Sequence, residues 1–158
     1  MRHFGLPILT LAAAAIAASA FADGHATPDL ESAVKARQAN MSMIGYNTGI
    51  LGDMAKGELA YDAAMATAAA ENLSAAAAMN RMVLWMERSE QGVVAGTRAK
   101  AEIWTDADGF DQSAVALETA AAAMISAAGT DLDSLRAAMG PIGASCGDCH
   151  KAYRGPRN

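Results

Sequence analysis

The chain has few aromatic residues, prolines and cysteines, and it has no excess of basic charge. Aromatic residues make up 5% of the 158 residues, and there are four prolines and two cysteines. Aromatic and β-branched residues favour strands whereas alanine favours helices, so this alanine-rich composition predicts an all-helical protein with a small-residue core. Twelve basic side chains against 17 acidic ones exclude the strongly basic face of a nucleic-acid-binding protein. The length suits one compact domain.

The first 22 residues have the pattern of a secretory signal peptide. Residues 6–20 are apolar, and the Ala-Phe-Ala sequence at 20–22 places small residues at the two positions that a signal peptidase reads. Cleavage before Asp23 would leave a domain of residues 23–158 in the periplasm. The alternative is an uncleaved anchor, although this segment is barely long enough to span a bilayer. We expect no later segment to be apolar enough to span, and hence no stable membrane anchor.

Four helical stretches follow, separated by short breaks. The first is expected to start at Thr27-Pro28-Asp29, with Thr27 as the capping residue, and to reach about Ala55, with Gly57 as its stop. The other three are expected at residues 61–86, 101–127 and 132–153, with the longest loop at 87–100, a weak point at Gly109 and a kink at Gly140-Pro141. Four helices joined by short turns predict an all-α, antiparallel four-helix bundle.

The sequence Cys146-Gly147-Asp148-Cys149-His150 is the C-x-x-C-H pattern of covalent haem attachment. Two thiols at this spacing add to the two vinyl groups of the porphyrin, and the adjacent histidine supplies an imidazole nitrogen to the iron. The alternatives are a redox-active pair, a structural disulfide or a zinc site. A redox-active pair belongs in a βαβ setting, and zinc needs more ligands than this motif supplies. The motif therefore predicts one haem c, held by Cys146 and Cys149 and ligated by His150.

The haem iron needs a second axial ligand besides His150 to be six-coordinate, and the sequence offers few candidates. His3 leaves with the signal peptide and His25 lies near the start of the mature chain, so ligation by two histidines is not expected. None of the eight residues after His150 is methionine, so a methionine ligand has to come from upstream. Most of the ten methionines are expected to fill the core.

The predicted first helix has an informative face. Apolar residues recur on it at spacings of three and four, but Arg37 and Met41 lie on the same stripe, one turn apart. A cation on an apolar seam needs an anion, and the haem propionates are candidates to pair with Arg37. A surface carboxylate is the alternative. Met41 is either an iron ligand or a core residue by this reasoning, whereas Met43 should face away.

The chain resembles the class II cytochromes c, the cytochrome c prime family, over nearly all of its mature length. The matching segments are Arg37-Gln38, Ala55-Lys56-Gly57-Glu58 with Tyr61-Asp62, Glu102-Ile103-Trp104, Leu135-Arg136-Ala137-Ala138, Gly143-Ala144-Ser145-Cys146 continuing to His150, and Tyr153-Arg154.

The resemblance implies a haem held inside the bundle, with the residue four positions after Arg37 pointing at the distal face of the iron. In high-spin members this residue is apolar and does not coordinate, whereas in the low-spin branch it is a ligating methionine. Met41 therefore makes the chain similar to the low-spin branch. The resemblance also implies that Arg37 and Gln38 contact the propionates. Arg154 either borders the proximal pocket or is an exposed helix-end cation.

These observations favour a periplasmic one-electron carrier that is not an enzyme and that exchanges electrons with redox partner proteins. A gas-binding protein, with an open distal site for nitric oxide or carbon monoxide, is the alternative, and a haem domain docked to a larger redox enzyme is a third. The acidic composition would suit a basic partner. The basic residues Lys151, Arg154 and Arg157 are either a solvated helix end or a docking patch. Homodimers built on the first two helices are common in the family, so the resemblance implies that this chain could form such a dimer.

Overall fold

The structure is a computed structural model that describes residues 29–157. The predicted signal peptide, its cleavage position and Thr27 lie outside the described residues. Five helices follow along the chain: α1 (Leu30–Lys56), α2 (Ala63–Ala77), α3 (Glu102–Thr105), α4 (Ala107–Thr130) and α5 (Leu132–Tyr153).

The four long helices pack as a four-helix bundle, which confirms the predicted fold. Helix α1 packs against α2 and α5, and α4 packs against the same two helices. The largest fully buried apolar side chains come from all four: Leu51 and Met54, Leu73, Met124, and Leu135 and Ile142. Alanines fill the space between them, as the composition predicts. Burial of each large side chain stabilises the fold by about 1.5–3 kcal/mol.

The ends of α1 are set by local chemistry. Asp29 is the N-cap, and its carboxylate accepts hydrogen bonds from the backbone N–H groups of Glu31 and Ser32. The expectation that Thr27 caps this helix is therefore wrong, because the cap is Asp29, two residues later. Gly57 ends the helix as expected, with a φ of 82° that glycine adopts without steric cost.

The second helix is shorter than expected and the third is divided. Helix α2 ends at Ala77 rather than near residue 86, and an irregular segment of residues 78–101 follows. Leu84 and Trp85 of this segment line a cavity whose other walls come from α1, α4 and α5. The break before α4 falls at Asp106, not at the predicted weak point Gly109. Tertiary contacts override helix propensity at both places.

Helix α5 matches its predicted limits and runs continuously through Pro141. Its far end is joined to the irregular segment by a short antiparallel bridge between Ala99 and Arg154. The N–H of Lys100 donates to Tyr153 O at 3.0 Å, and the N–H of Gly155 donates to Arg98 O at 2.7 Å. This bridge fixes the end of the helix that carries the haem-attachment motif.

Within residues 29–157, helix α4 is long and apolar enough to cross a membrane by length and composition alone. Its 18-residue window has a mean hydropathy of 1.2, so the expectation that no later segment reaches this level is wrong. Much of this hydropathy comes from alanine. One face of α4 contributes Ala120, Ala121, Met124 and Ala128 to the core of the bundle. The absence of a stable membrane anchor stays a prediction.

Candidate haem-binding site

All six residues singled out in the sequence line one cavity of about 480 Å³. Helix α5 contributes Cys146, Cys149 and His150, and helix α1 contributes Arg37, Gln38 and Met41. The irregular segment 78–101 forms part of the remaining wall. The volume lies within the range of small-molecule and cofactor pockets.

The two thiols of the motif are free and half-buried. They are three residues apart, and therefore one turn apart on the same side of α5. Burial raises the pKa of both thiols, and the neighbouring Cys146 raises that of Cys149 further. Such thiols are protonated at neutral pH, unlike the thiolate of a redox-active C-x-x-C pair. Two free thiols facing a cavity are suited to covalent attachment of a porphyrin.

His150 lines the same cavity and is half-buried. Burial lowers the pKa of its imidazole, and the positive charges of Arg154 and Arg98 lower it further. The ring is therefore neutral at physiological pH and keeps a nitrogen lone pair for a metal ion. Arg154 also lines the cavity, so it borders the proximal side while its side chain remains exposed.

Met41 also faces the cavity, from α1. It is 39% exposed, whereas Met43 is 51% exposed and does not line the cavity. The predicted opposite orientations of the two methionines are thus confirmed. The thioether of Met41 and the imidazole of His150 reach the same space from two helices that pack against each other.

Arg37 is buried, with 3% of its surface exposed, and is held by neutral groups. Its Nη1 donates to Ser89 Oγ at 2.7 Å, and its Nη2 donates to Ser89 O at 2.5 Å and to Thr97 Oγ1 at 2.6 Å. The guanidinium carbon lies 4.8 Å from the centroid of the Trp85 ring. Burial lowers its pKa, and the charge of Glu90 partly opposes this effect.

No carboxylate in residues 29–157 forms an ion pair with Arg37. The alternative in which this arginine pairs with a surface acid is therefore wrong. A buried cation without an anion at a cavity wall is the environment that a haem propionate would complete. Gln38 is exposed at the same edge, and its Nε2 donates to Gly96 O at 2.8 Å.

Aromatic side chains pack next to the attachment motif. Phe110 makes edge-on contacts with Trp85 and Tyr153, with centroid distances of 5.0 Å and 5.4 Å. Trp104 Nε1 donates to Trp85 O at 3.0 Å. Tyr153 Oη donates to Asp106 Oδ2 at 2.7 Å, and this hydrogen bond is the main reason that the pKa of Tyr153 rises to about 12. Tyr153 thus packs in the cavity wall, and Trp104 packs against the same cluster without lining the cavity.

Two polar residues on the cavity wall, Asn40 and Thr48, were not predicted from the sequence as binding residues. The atoms Asn40 Oδ1 and Thr48 Oγ1 are buried and have no hydrogen-bond partner within the described chain. Three other helical threonines, Thr67, Thr119 and Thr130, donate to the carbonyl four residues earlier. Unpaired buried oxygens facing a cavity indicate that a bound group or water belongs there. Ser89 and Thr97, which hold Arg37, were missed because they lie in the irregular segment.

The charges around the cavity fit an anionic cofactor. Among its lining residues in the described chain are four arginines and no aspartate or glutamate. Arg81 pairs with Asp111 and Glu118, so Arg37, Arg98 and Arg154 are left without an ion-pair partner in residues 29–157. The residues present therefore fit haem c, with two thiols for its vinyl groups, an imidazole for its iron and cations for its two propionates. A helical bundle with this site is a c-type cytochrome.

Comparison with known proteins identifies the family. The family model described as Cytochrome C' matches residues 32–154. Cytochrome c-554 from Cereibacter sphaeroides is 40% identical over 149 residues, which cover 94% of this chain and 96% of the relative. Cytochrome c' from the same organism is 40% identical over 126 residues, which cover 80% of this chain and 85% of the relative.

Solved structures agree with this assignment. A Rhodobacter cytochrome c' is 40% identical, with a TM-score of 0.79 over 82% of this chain and 99% of the other. The nitric oxide complex of a leucine-to-alanine mutant of cytochrome c prime from Alcaligenes xylosoxidans is 36% identical, with a TM-score of 0.73 over 83% and 99%. The chain belongs to the cytochrome c' family. It is a monohaem c-type cytochrome whose cofactor is one covalently bound haem c.

Proposed function

We propose that the chain is a periplasmic one-electron carrier in which His150 and Met41 are the two axial ligands of the haem iron. The observation that carries this proposal is the shared cavity: Met41 of α1 and His150 of α5 line it together with both attachment thiols. A family member with an apolar, non-coordinating residue in place of Met41 would lack the second ligand.

The side chains around the cavity suit electron transfer. When bound, haem c supplies a one-electron ferric–ferrous couple. The Met41 thioether favours the ferrous state and raises the reduction potential, and the buried charge of Arg37 acts in the same direction. Both proposed ligands lie on long helices of one bundle, which restrains them in either oxidation state. We propose a carrier and not an enzyme; with both cysteines assigned to the cofactor, no thiol is left to act as a nucleophile.

A gas-binding function is the second candidate. The solved relatives include a nitric oxide complex and a carbon monoxide-bound variant of cytochrome c prime from Alcaligenes xylosoxidans. In the present chain Met41 is 39% exposed and belongs to a flexible residue type. A Met41 that leaves the iron readily would open the distal side to a diatomic ligand.

Absorption spectra of the ferric and ferrous holoprotein separate the two functions. The carrier predicts low-spin spectra in both states and a weak ferric methionine-to-iron band at the red end of the visible range. Met41→Ala should abolish that band and allow the ferrous protein to bind carbon monoxide. The matched control is Met43→Ala, which removes an exposed methionine outside the cavity and should change nothing. A high-spin wild-type spectrum, unaffected by Met41→Ala, would refute the carrier and favour gas binding.

The periplasmic location and the dimer are also proposals. Exposed apolar residues lie on α1 and α2, with Met43, Tyr46 and Met65 between 50% and 66% exposed. A dimer on this face would bury them, and their replacement by serine should then shift the sedimentation coefficient to that of a monomer.

Release of the protein with the periplasmic fraction, with a processed N-terminus at Asp23, would support the periplasmic location.

A further inference from the structure

We propose that the end of α5 and the segment bridged to it form a docking patch for an acidic redox partner. The patch consists of Arg98, Lys100, Lys151, Arg154 and Arg157 and is called the basic patch below. The inference rests on the electron-carrier function and names the chemistry of its partner. It reverses the expectation, drawn from net charge, that the partner would be basic.

The chain fold, and not sequence proximity, assembles the basic patch. Arg98 and Lys100 precede the residues of α5 by about 50 positions, yet the bridge between Ala99 and Arg154 holds the two segments side by side. Lys100 Nζ donates to Ala152 O at 2.6 Å, and Arg98 Nε donates to Gly155 O at 2.8 Å. Five of the eleven basic residues in residues 29–157 are thereby gathered at one end of the bundle.

Arg98 and Arg154 face the cavity, where with Arg37 they would meet the two haem propionates, so the uncompensated charge of the basic patch rests on Lys151 and Arg157. Lys100 pairs with Glu102 at 3.1 Å, and Asp106 accepts the hydrogen bond of Tyr153. Asp148 lies one turn before Lys151 on α5 without forming an ion pair with it. The exposed side chains of Lys151, Arg154 and Arg157 have no ion-pair partner within the described part of the chain.

Basic residues at the opposite end of the bundle are arranged differently. Lys56 lies 3.7 Å from both Asp53 and Glu58, and Arg136 lies 3.2 Å from Asp133. Those cations are neutralised by local acids, as expected for an acidic protein. Arg136 and Lys151 are 15 residues apart on α5, which corresponds to about 22 Å. This separation exceeds the Debye length of about 10 Å at 0.1 M salt, so charges at the two ends act independently.

The basic patch is continuous with the haem cavity. Arg98 and Arg154 line the cavity and also belong to the patch, next to Cys149 and His150. A partner docked there would lie against the side of the cavity that carries the attachment thiols and His150, and a short separation from the cofactor would speed electron transfer. Complementary charge raises the rate of such encounters more than it raises their affinity. This continuity favours a protein partner over a membrane surface.

Small redox reagents of opposite charge test the sign of the electrostatic potential at the basic patch. Ferricyanide, which carries three negative charges, takes one electron from the ferrous holoprotein, giving ferrocyanide and ferric haem. The basic patch predicts a second-order rate constant that falls as ionic strength rises, although the whole protein is negative. The tripositive cobalt tris-phenanthroline complex, which takes one electron in the same way, should show the opposite trend.

Charge reversal at the patch and at a distant position gives the matched comparison. Lys151→Glu should lower the ferricyanide rate on the order of fivefold at about 0.1 M salt, where the two ends of the bundle are screened from each other. Lys56→Glu makes the same change in net charge and should leave the rate within about 1.5-fold of the wild type. Equal effects of the two variants, or a wild-type rate that rises with salt, would overturn the proposal. Binding to phosphatidylglycerol vesicles that is lost in Lys151→Glu would assign the patch to a membrane and also overturn it.

The outcome is independent of axial ligation. Both reagents oxidise a ferrous haem whether or not Met41 is bound, so the salt dependence can be read in the Met41→Ala variant as well. Failure of the carrier function would appear in the absorption spectra, whereas failure of the docking inference would appear in the rates.

Discussion

Replacement of Arg37 by methionine should destabilise the protein strongly, although the new side chain is apolar and of similar length. Arg37 donates three hydrogen bonds to Ser89 and Thr97, which lie 52 and 60 residues away in sequence. It thereby attaches the irregular segment 78–101 to α1. Methionine keeps the apolar contacts of the arginine stem but leaves these buried acceptors without a donor.

The magnitude follows from opposing contributions. Hydrogen bonds from a charged donor contribute about 1.5–3 kcal/mol each, and a cation–π contact with Trp85 adds about 1 kcal/mol. Removal of the guanidinium also relieves its desolvation cost, which is several kcal/mol for a buried ion. The expected net loss in the free energy of unfolding is about 3 kcal/mol, within the range for breaking one side of a buried polar network. Pairing of Arg37 with a haem propionate would add to this loss.

Urea unfolding of the ferric holoprotein, followed by far-ultraviolet circular dichroism, measures the effect. With an m-value of about 2 kcal/mol/M, a loss of 3 kcal/mol lowers the midpoint by about 1.5 M. The control is Lys35→Met, which removes an exposed cation two residues away and should change stability by less than about 0.5 kcal/mol. A loss below about 1 kcal/mol in Arg37→Met would refute the view that this arginine holds the cavity wall.

Two further predictions concern the contact between Tyr153 and Asp106. The folded-state pKa of Tyr153 is raised from 10.0 to about 12, so its contribution to stability is complete below pH 10 and is lost as the pH rises towards about 12. Tyr153→Phe should remove that part of the alkaline decline in the urea midpoint, and an unchanged decline would contradict the assignment. Gly109→Ala should cost about 1–3 kcal/mol, because its Cβ would lie 2.5 Å from Tyr153 Oη and 2.8 Å from Asp106 Oδ1. At Gly143 an added Cβ would have no atom within 4 Å, so Gly143→Ala should instead stabilise α5 by about 0.5–1 kcal/mol in the same urea measurement. Stability changes of the same sign in the two glycine variants would contradict the close contact at Gly109.

The last helix and its motif could be predicted because their signals are local. Asp131 caps α5 by accepting a hydrogen bond from the Ser134 N–H at 2.7 Å, and it directly precedes the predicted first residue. The spacing of Cys146, Cys149 and His150 is a covalent requirement of haem attachment and does not depend on the rest of the fold. The predicted limits of α5 are therefore confirmed, and the motif lies in the last turns of this helix.

The irregular segment could not be predicted because distant residues determine it. Residues 78–86 contain no proline or glycine, so local propensity favours a continued helix. The segment instead turns Leu84 and Trp85 towards the cavity, and Arg37 and Trp104 fix its backbone and side chains. The same limit applies to Asp106, whose break in the helix coincides with a hydrogen bond to a residue 47 positions away.

Six cavity residues could be predicted from the sequence, whereas the polar partners around them and their electrostatics could not. The periodicity of α1 places Arg37 and Met41 on the cavity side, as the structure has them. The neutral partners of Arg37 and the exclusion of carboxylates from the cavity are products of the tertiary fold. Net charge gives no information on how basic residues are placed on the surface, and the expectation of a basic partner stays a prediction. Ligation of iron by Met41 stays a prediction.

Proton NMR of the ferrous holoprotein tests that ligation most directly. A methionine methyl group held against a low-spin ferrous haem lies in the ring current, which shifts its three-proton signal far upfield of all other protein resonances. Ligation by Met41 predicts one such signal in the wild type, its loss in Met41→Leu and its retention in Met43→Leu. A wild-type spectrum without this signal, or a signal that survives Met41→Leu, would contradict the assignment of Met41 as the second axial ligand.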